Sequence, residues 1–455
     1  MIHKFKMDDV NIVLDVNSGA VHIVDDIVYS ILDYYPQKNE EEIKTLLKDQ
    51  YSSEEIKSVL AELNDLRKQD LLFSEDTYIS NSAFTTRKPV VKALCLHIAH
   101  DCNIRCRYCF ASQGDFKGTR SLMSEEIGKK ALDFLIENSG NRRNLEVDFF
   151  GGEPLLNFEV VKKLVDYGRK REKEANKNFR FTITTNGVLL NDEIIKYINE
   201  NMENIVLSID GRKEINDKMR YTVNGEGTYD IILPKFKNMV ETRGDKSYYV
   251  RGTFTKYNID FAKDVLHLAD QGFKNTSVEP VVAEPGKDYE LTYEDLPEIF
   301  HQYENLAREL IKREKEGNGF NFFHFMVDLN QGPCVIKRLT GCGAGSEYLA
   351  ITPEGDIYPC HQFVGNEKFK MGSVVNGLNK ERLNIDFANA HVYNKEKCRD
   401  CWAKFYCSGG CHANAYNFNN DINRPYDLGC EMEKKRIECS LYIQAKLRMT
   451  EKTEG

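Results

Sequence analysis

At 455 residues the chain is too long for one compact core, and about two to four domains are expected. It is 41% hydrophobic and 29% charged, an ordinary soluble composition, and its net charge of −9 is spread along the chain, which argues against a nucleic-acid surface. The stretch "MIHKFKMDDVNIVLDV" has no apolar core of signal-peptide length, and no run approaches the ~20 apolar residues of a membrane span, so a cytoplasmic protein is expected.

Residues 1–80 open with two β-like runs, "NIVLDV" and "GAVHIV", joined by the turn signal "NSG". Three helical patterns follow, "DDIVYSILDYY", "EEEIKTLLKDQ" and "SSEEIKSVLAELNDLRKQ", the last with Ser52 or Ser53 as N-cap. This order reads as a small winged-helix-like module. A polar linker, 81–90, separates it from the next region.

From 91 to about 320, strand and helix alternate. The candidate strands are "KALCLHIAH", "LEVDFFG", "FRFTITTNG", "ENIVLSIDG", "SYYVRGTF" and "NTSVEPVV", with amphipathic helices such as "SEEIGKKALDFLIEN" between them. Six βα units imply an α/β fold with a parallel sheet curled into a partial (β/α)6 TIM barrel, whose chemistry belongs at the C-terminal strand ends. After a charged helical stretch, residues 321–455 hold nine of the thirteen cysteines amid many turns. That region is expected to bury little core of its own and to depend on inorganic cross-links.

The cysteine usage points to metal. The count is odd and the spacings are short and clustered, whereas a reducing compartment disfavours structural disulfides. "HDCNIRCRYCF" follows the first strand and sets Cys102, Cys106 and Cys109 in a CxxxCxxC frame. A fully ligated iron–sulfur cubane takes four thiolates, and this loop offers three. A zinc site completed elsewhere, with His100 near, is the other coordination such a triad supports. Further strand ends carry "GGEP" (Gly151 to Pro154), "TTNG" (Thr184 to Gly187) and "SIDG" (Ser208 to Gly211), with Arg220 beyond. The two glycines are expected to expose backbone to a ligand, Glu153 to accept from an ammonium, and Arg220 to pair with a carboxylate.

With these motifs in this order, the chain resembles the radical S-adenosylmethionine (SAM) enzymes. The resemblance implies a 4Fe–4S cluster on Cys102, Cys106 and Cys109, with SAM seated on the fourth iron. It implies Tyr108 against the adenine, Gly152 and Glu153 at the ammonium, and Asn186, Ser208 and Arg220 among the remaining SAM contacts. The tail resembles the SPASM extension of that family, which carries two auxiliary 4Fe–4S clusters. Cys342, Gly355 and Cys360 stand in a Cx12Gx4C frame, and Cys398, Cys401, Cys407 and Cys411 in Cx2Cx5Cx3C, with Cys430 beyond. Zinc ribbons are the competing reading of the spacing alone. Transferred by position, Cys342, Cys360 and Cys411 serve the first auxiliary cluster, and Cys398, Cys401, Cys407 and Cys430 the second. Cys334 either closes the first or leaves a vacancy for a substrate thiolate. Cys95 alternates with apolar residues and reads as core, and Cys439 has no assigned partner.

Members that oxidise a sulfatase side chain carry Asp directly after the third SPASM-frame cysteine; here that residue is His361, which disfavours sulfatase maturation. The N-terminal module resembles the recognition element of enzymes that modify ribosomally made peptides, binding a leader as an added strand. A DNA-binding winged helix suits the acidic chain poorly. Together the three regions resemble the maturases of SCIFF peptides, which join a cysteine sulfur to an α-carbon. The resemblance implies a precursor peptide and an external one-electron reductant such as flavodoxin or ferredoxin as partners. Other SPASM peptide modifications, or a leader-binding iron–sulfur or zinc scaffold without turnover, are the alternatives.

Overall fold

The computed structural model describes residues 1–80, 90–327, 329 and 335–454. Three strands open the chain: β1 (Ile2–Met7), β2 (Val10–Asp15) and β3 (Val21–Val24), an antiparallel sheet in that order. The sequence reading held only the last two. β1 reads "IHKFKM", whose lysines obscure an alternation that buries Phe5 and Met7. Helices Asp26–Ile31, Glu40–Leu47 and Ser53–Lys68 follow. Reciprocal capping boxes start the second and third: Asn39 with Glu42, and Ser52 with Glu55. Ile31, Ile43, Ile56 and Leu63 close on Val13 of β2. The opposite face of β2, Ile12 and Leu14, joins the core of the main body, so this central strand is buried along its length.

Polar contacts fasten the module to the C-terminal part of the chain. Asp8 accepts from Arg308 at 2.8 Å and from the Tyr442 hydroxyl at 2.7 Å. His3 stacks on Trp402 with centroids 3.7 Å apart. Asp76 accepts from Lys404 Nζ and the Tyr393 hydroxyl, both at 2.8 Å.

The main body is built on β4 (Ala93–Ala99), β6 (Asn144–Gly151), β7 (Asn178–Thr185), β8 (Asn204–Ser208), β10 (Tyr248–Phe254) and β11 (Asn275–Pro280), all parallel and in that spatial order. These are the six expected strands, and they form the parallel sheet of the partial barrel. The short pair β5 (Ile104–Cys106) and β9 (Arg220–Thr222) lies outside this sheet. On the outer face Val147, Phe149, Phe181 and Ile183 pack against Leu132, Leu135, Val161 and Leu164 of the connecting helices. The alternate residues, including Asp148, Thr182, Ser208, Arg251 and Glu279, point to the inner face.

The sheet does not stop at the sixth strand. β12 (Asn321–Phe322) pairs with β11 at one edge. At the other edge β13 (Tyr348–Ile351) pairs parallel with β4, from Tyr348↔Ala93 to Ile351↔Leu96. β14 (Asp356–Tyr358), β15 (Gly372–Ser373) and β16 (Gly377–Leu378) continue it antiparallel. The C-terminal region was expected to bury little, yet Leu349, Ile351 and Ile357 are fully buried. Tyr358, Phe363, Phe369 and Phe387 make an aromatic core with Cys95 of β4. The region achieves this by using the barrel's first strand as its floor. Helix Asp427–Glu454 packs along helix Leu296–Lys315, with Lys435 3.0 Å from Glu304. Among the described residues no helix is long and apolar enough to cross a membrane.

The shared strand makes one mechanical unit of barrel and C-terminal region. Leu349→Ala removes a fully buried side chain from that seam and is expected to destabilise the protein by about 2–5 kcal/mol, seen as a lower urea midpoint at unchanged slope. A change below about 0.5 kcal/mol, the range of ordinary surface substitutions, would contradict the seam.

Candidate active site

The loop from β4 to β5 carries Cys102, Cys106 and Cys109, and buried polar contacts anchor it on two sides. On the first side the constraint is close backbone approach. The Gly152 N–H donates to Ala99 O at 2.8 Å and the Glu153 N–H to Asp101 O at 2.9 Å. A Cβ at Gly152 would lie 2.1 Å from Asp101 O, and one at Gly151, whose φ is +122°, 2.3 Å from Ala99 O. The glycines therefore admit the cysteine loop, and the Gly152 amide expected to face a ligand is already bonded within the protein.

Glu153 is 1% exposed and ties two strand ends together. Its Oε1 accepts from the Thr185 hydroxyl at 2.8 Å and the Leu155 N–H at 3.1 Å, its Oε2 from the Asn186 N–H at 2.8 Å. Burial pushes its carboxyl up to about 7 against those three donors. Asn186 then reaches the loop: its Nδ2 donates to Asn103 Oδ1 at 2.8 Å and lies 3.6 Å from Cys102 Sγ.

The second anchor is Asp210, which is wholly buried in the turn after β8. Its carboxylate accepts from the Tyr108 hydroxyl at 2.6 Å, Arg220 Nε at 3.0 Å and the Thr253 N–H at 3.0 Å. Arg220 is brought there by the β5–β9 pairing, in which Cys106 faces it directly, and its Nη1 stands 3.9 Å from Cys106 Sγ. Burial works against the Arg220 charge, but Asp210, Tyr108 and Cys106 outweigh it and hold the guanidinium protonated. Ser208 ends β8, half-buried and in register with Arg251. Tyr108, Gly152, Glu153, Asn186 and Arg220 are thus gathered about one loop. Asp210 and Thr185 stand inside the motifs "SIDG" and "TTNG", but their anchoring roles are tertiary and leave no mark in the spacing.

The inner face holds further polar groups, of which sequence reasoning singled out His361 alone. Asp148 is raised to about 7 by burial and Glu146, against a hydrogen bond from Thr182. Glu279 lies 3.4 Å from Arg251 and 3.3 Å from His324, a cluster that Arg436 joins from the C-terminal helix. His361 has its ring 5.1 Å from Phe150 and 5.3 Å from Phe110, the residue after Cys109. Burial and Arg251 lower it to about 4, so it is neutral at pH 7.

Two further thiol groups lie in the C-terminal region. Cys360, Cys411 and Cys342 are electrostatic neighbours, as are Cys398, Cys401, Cys407 and Cys430. The latter four line a cavity of about 470 Å³ together with Lys397, Lys404 and Lys434. Cys334 lies outside the described residues. Cys95 is core, as expected, beside the Tyr348 hydroxyl, and Cys439 is buried in the C-terminal helix.

The donor chemistry fits iron–sulfur clusters. Burial pushes Cys102 up to about 11, Cys106 and Cys430 up to about 12, and Cys360 and Cys407 higher, with neighbouring thiols adding to the shift. Such thiols ionise only when a cationic body supplies the compensating charge. Among the described residues no three His, Cys, Asp or Glu side chains converge tightly enough to hold a single metal ion.

Comparison with known proteins agrees with this geometry. Residues 91–232 match the model of a 4Fe-4S single cluster domain, and 342–402 that of the SPASM iron-sulfur cluster-binding domain. A cysteine-type anaerobic sulfatase-maturating enzyme of Clostridium novyi is 26% identical over 74% of this chain and 92% of its own length. An uncharacterised protein of Methanocaldococcus jannaschii is 31% identical over 60% of this chain and 86% of its own. Among solved structures, SuiB of Streptococcus suis bound to S-adenosylmethionine covers 93% of this chain and 99% of its own, with a TM-score of 0.53 and 16% identity. Its complex with precursor peptide SuiA gives 0.52. The chain belongs to the radical SAM enzymes that carry a SPASM domain.

Asp210→Asn leaves the Arg220 charge buried without its counter-ion, since the two side chains are 0% and 11% exposed. The expected loss is about 3–5 kcal/mol in a urea melt. Asp230→Asn, which breaks the exposed pair with Lys213, is expected to cost less than about 1 kcal/mol.

Proposed function

We propose that this protein is a radical SAM maturase that forms a thioether between a cysteine sulfur and an α-carbon in a ribosomally made, cysteine-rich precursor peptide. The observation that carries the reading is the loop of three thiols, anchored by Glu153, Asn186 and Asp210, one thiolate fewer than a fully ligated cubane takes. SAM bound at the fourth iron supplies a 5′-deoxyadenosyl radical on one-electron reduction. The chain's own residues seat it. A carboxylate offers about four acceptor positions; Glu153 spends three within the protein, which leaves one for the ammonium, beside the Gly152 carbonyl. Arg220 gives Nε to Asp210, and its remaining N–H groups are the ones offered to the SAM carboxylate. Tyr108 is assigned to the adenine, Ser208 to the ribose and Asn186 to the rim.

The domain boundaries proposed are a recognition domain at 1–80, the barrel at 91–320 and the SPASM region at 321–455, with three 4Fe–4S clusters in all and flavodoxin or ferredoxin as reductant. A peptide partner is supported by the edge strand β3 and by the groove of about 240 Å³ between it and helix Ser53–Lys68, lined by His22, Ile23, Val28, Leu63 and Leu66. Ile23 is 43% exposed there, in the place an added strand would cover. The solved complex of SuiB with its precursor peptide supports the same class of partner. The thioether rests on the sequence resemblance to SCIFF maturases and on His361 in place of Asp.

The test is anaerobic reconstitution with the precursor peptide encoded beside the gene. Deoxyadenosine should form, and the peptide should lose two hydrogens, with tandem mass spectrometry placing the new bond between sulfur and an α-carbon. Ile23→Arg should weaken peptide binding at least about tenfold, roughly 1.4 kcal/mol. A carbon–carbon link or an unchanged mass would replace the thioether by another modification. Bound zinc without SAM cleavage would replace the enzyme by a scaffold.

A further inference from the structure

Lys395 is wholly buried, yet among the described residues no carboxylate is found to pair with it. Its Nζ donates to Gly409 O at 2.7 Å. Burial lowers its pKa, and the groups that favour its charge are cysteines of both C-terminal sets: Cys398 and Cys407 from one, Cys411 and Cys342 from the other. His391 and His412 beside it are both lowered, first by burial and then by Lys395 itself. A lone buried ammonium is costly unless something nearby carries negative charge. Four thiols become that charge once they are thiolates on clusters.

The backbone fixes the lysine in this place. Its N–H donates to His391 O at 3.2 Å, and its carbonyl accepts from Cys398 N at 2.9 Å and Arg399 N at 3.0 Å, so it opens the short helical turn that carries Cys398. Its side chain ends on Gly409, in the loop that joins Cys407 of one set to Cys411 of the other. A Cβ at Gly409 would stand 3.4 Å from Nζ. One residue thus touches the ligand loops of both sets.

We infer that Lys395 is a positioning residue, a shared counter-charge placed between the two auxiliary clusters that raises the reduction potential of both. The inference rests on the reading of these cysteines as cluster ligands. A cubane held by three or four thiolates is an anion that gains a further negative charge on reduction, and its potential follows local charge, hydrogen bonding and burial. A fixed cation in a buried site favours the reduced state of each neighbour, and the low local dielectric keeps that effect from being screened. Both clusters are thereby made better acceptors for an electron released in the barrel.

The experiment is a potentiometric titration of the reconstituted full-length protein followed by electron paramagnetic resonance, with Lys395→Met and Lys395→Gln beside the unmodified chain. Gln retains a donor for Gly409 and removes the charge; Met removes both. The expected result is that both auxiliary signals move to more negative potentials in each variant that keeps its iron, while the SAM-site signal stays in place. Unchanged auxiliary potentials at full iron content overturn the inference. Loss of C-terminal iron in both variants overturns it as well, since the lysine would then only cap the loop. If the unmodified protein shows no auxiliary signals, the reading of the cysteines fails first and the inference goes with it.

Discussion

The arrangement depends on how one short loop is held. Three thiols can share an inorganic body only if the backbone between them is fixed, and the loop after β4 has little regular structure to fix it. Two buried carboxylates do the work instead. Glu153 reaches the first cysteine through Asn186, and Asp210 reaches the second and third through Arg220 and Tyr108. Both carboxylates stand at the C-terminal ends of neighbouring regions of one parallel sheet, so strand register sets the spacing of the anchors. The glycines before Glu153 complete the device, because only a residue without Cβ lets the loop's carbonyls lie so close to that strand end.

From this centre the rest of the molecule follows by sheet continuity and docking. β13 extends the barrel sheet past β4, which places Cys342 and Cys360 on the flank of the strand that leads into the cysteine loop. His361 and Phe110 meet there, so the first C-terminal thiol set and the loop approach a common inner face. The N-terminal sheet is fastened by His3 to Trp402, next to Cys401, and by Asp8 to helix Leu296–Lys315. The module is therefore joined to the wall that carries the second thiol set as well as to the barrel.

Much of this was legible in the sequence because the signals were local. The six core strands alternate or run apolar over six to eight residues in most cases, and helices such as Glu125–Asn138 and Phe158–Ala175 between them carry a clear apolar stripe. Cysteine spacing is likewise local, and it named the loop. Other features were written in contacts between distant segments. β5 and β9 are three residues each and exist because Cys106 and Arg220 meet across more than a hundred residues. The GG pair pointed to the right place, and what the fold adds is close packing of protein on protein, with the Gly152 amide taken up by Ala99 O. Lys395 sits in "NKEKCRD", where its burial leaves no mark in the sequence, and only the fold shows it wholly buried. The aromatic core of the C-terminal region was hidden for a similar cause: its floor, Cys95 and β4, comes from another part of the chain.

The central claim is that the cluster on Cys102, Cys106 and Cys109 has one iron with no side chain of this protein upon it, and that SAM takes that position. Electron–nuclear double resonance of the reduced protein with SAM labelled at its amino nitrogen tests this most directly. The account predicts hyperfine coupling between that nitrogen and the loop cluster. A cluster whose fourth iron is held by a protein side chain, with no coupling to added SAM, would contradict it.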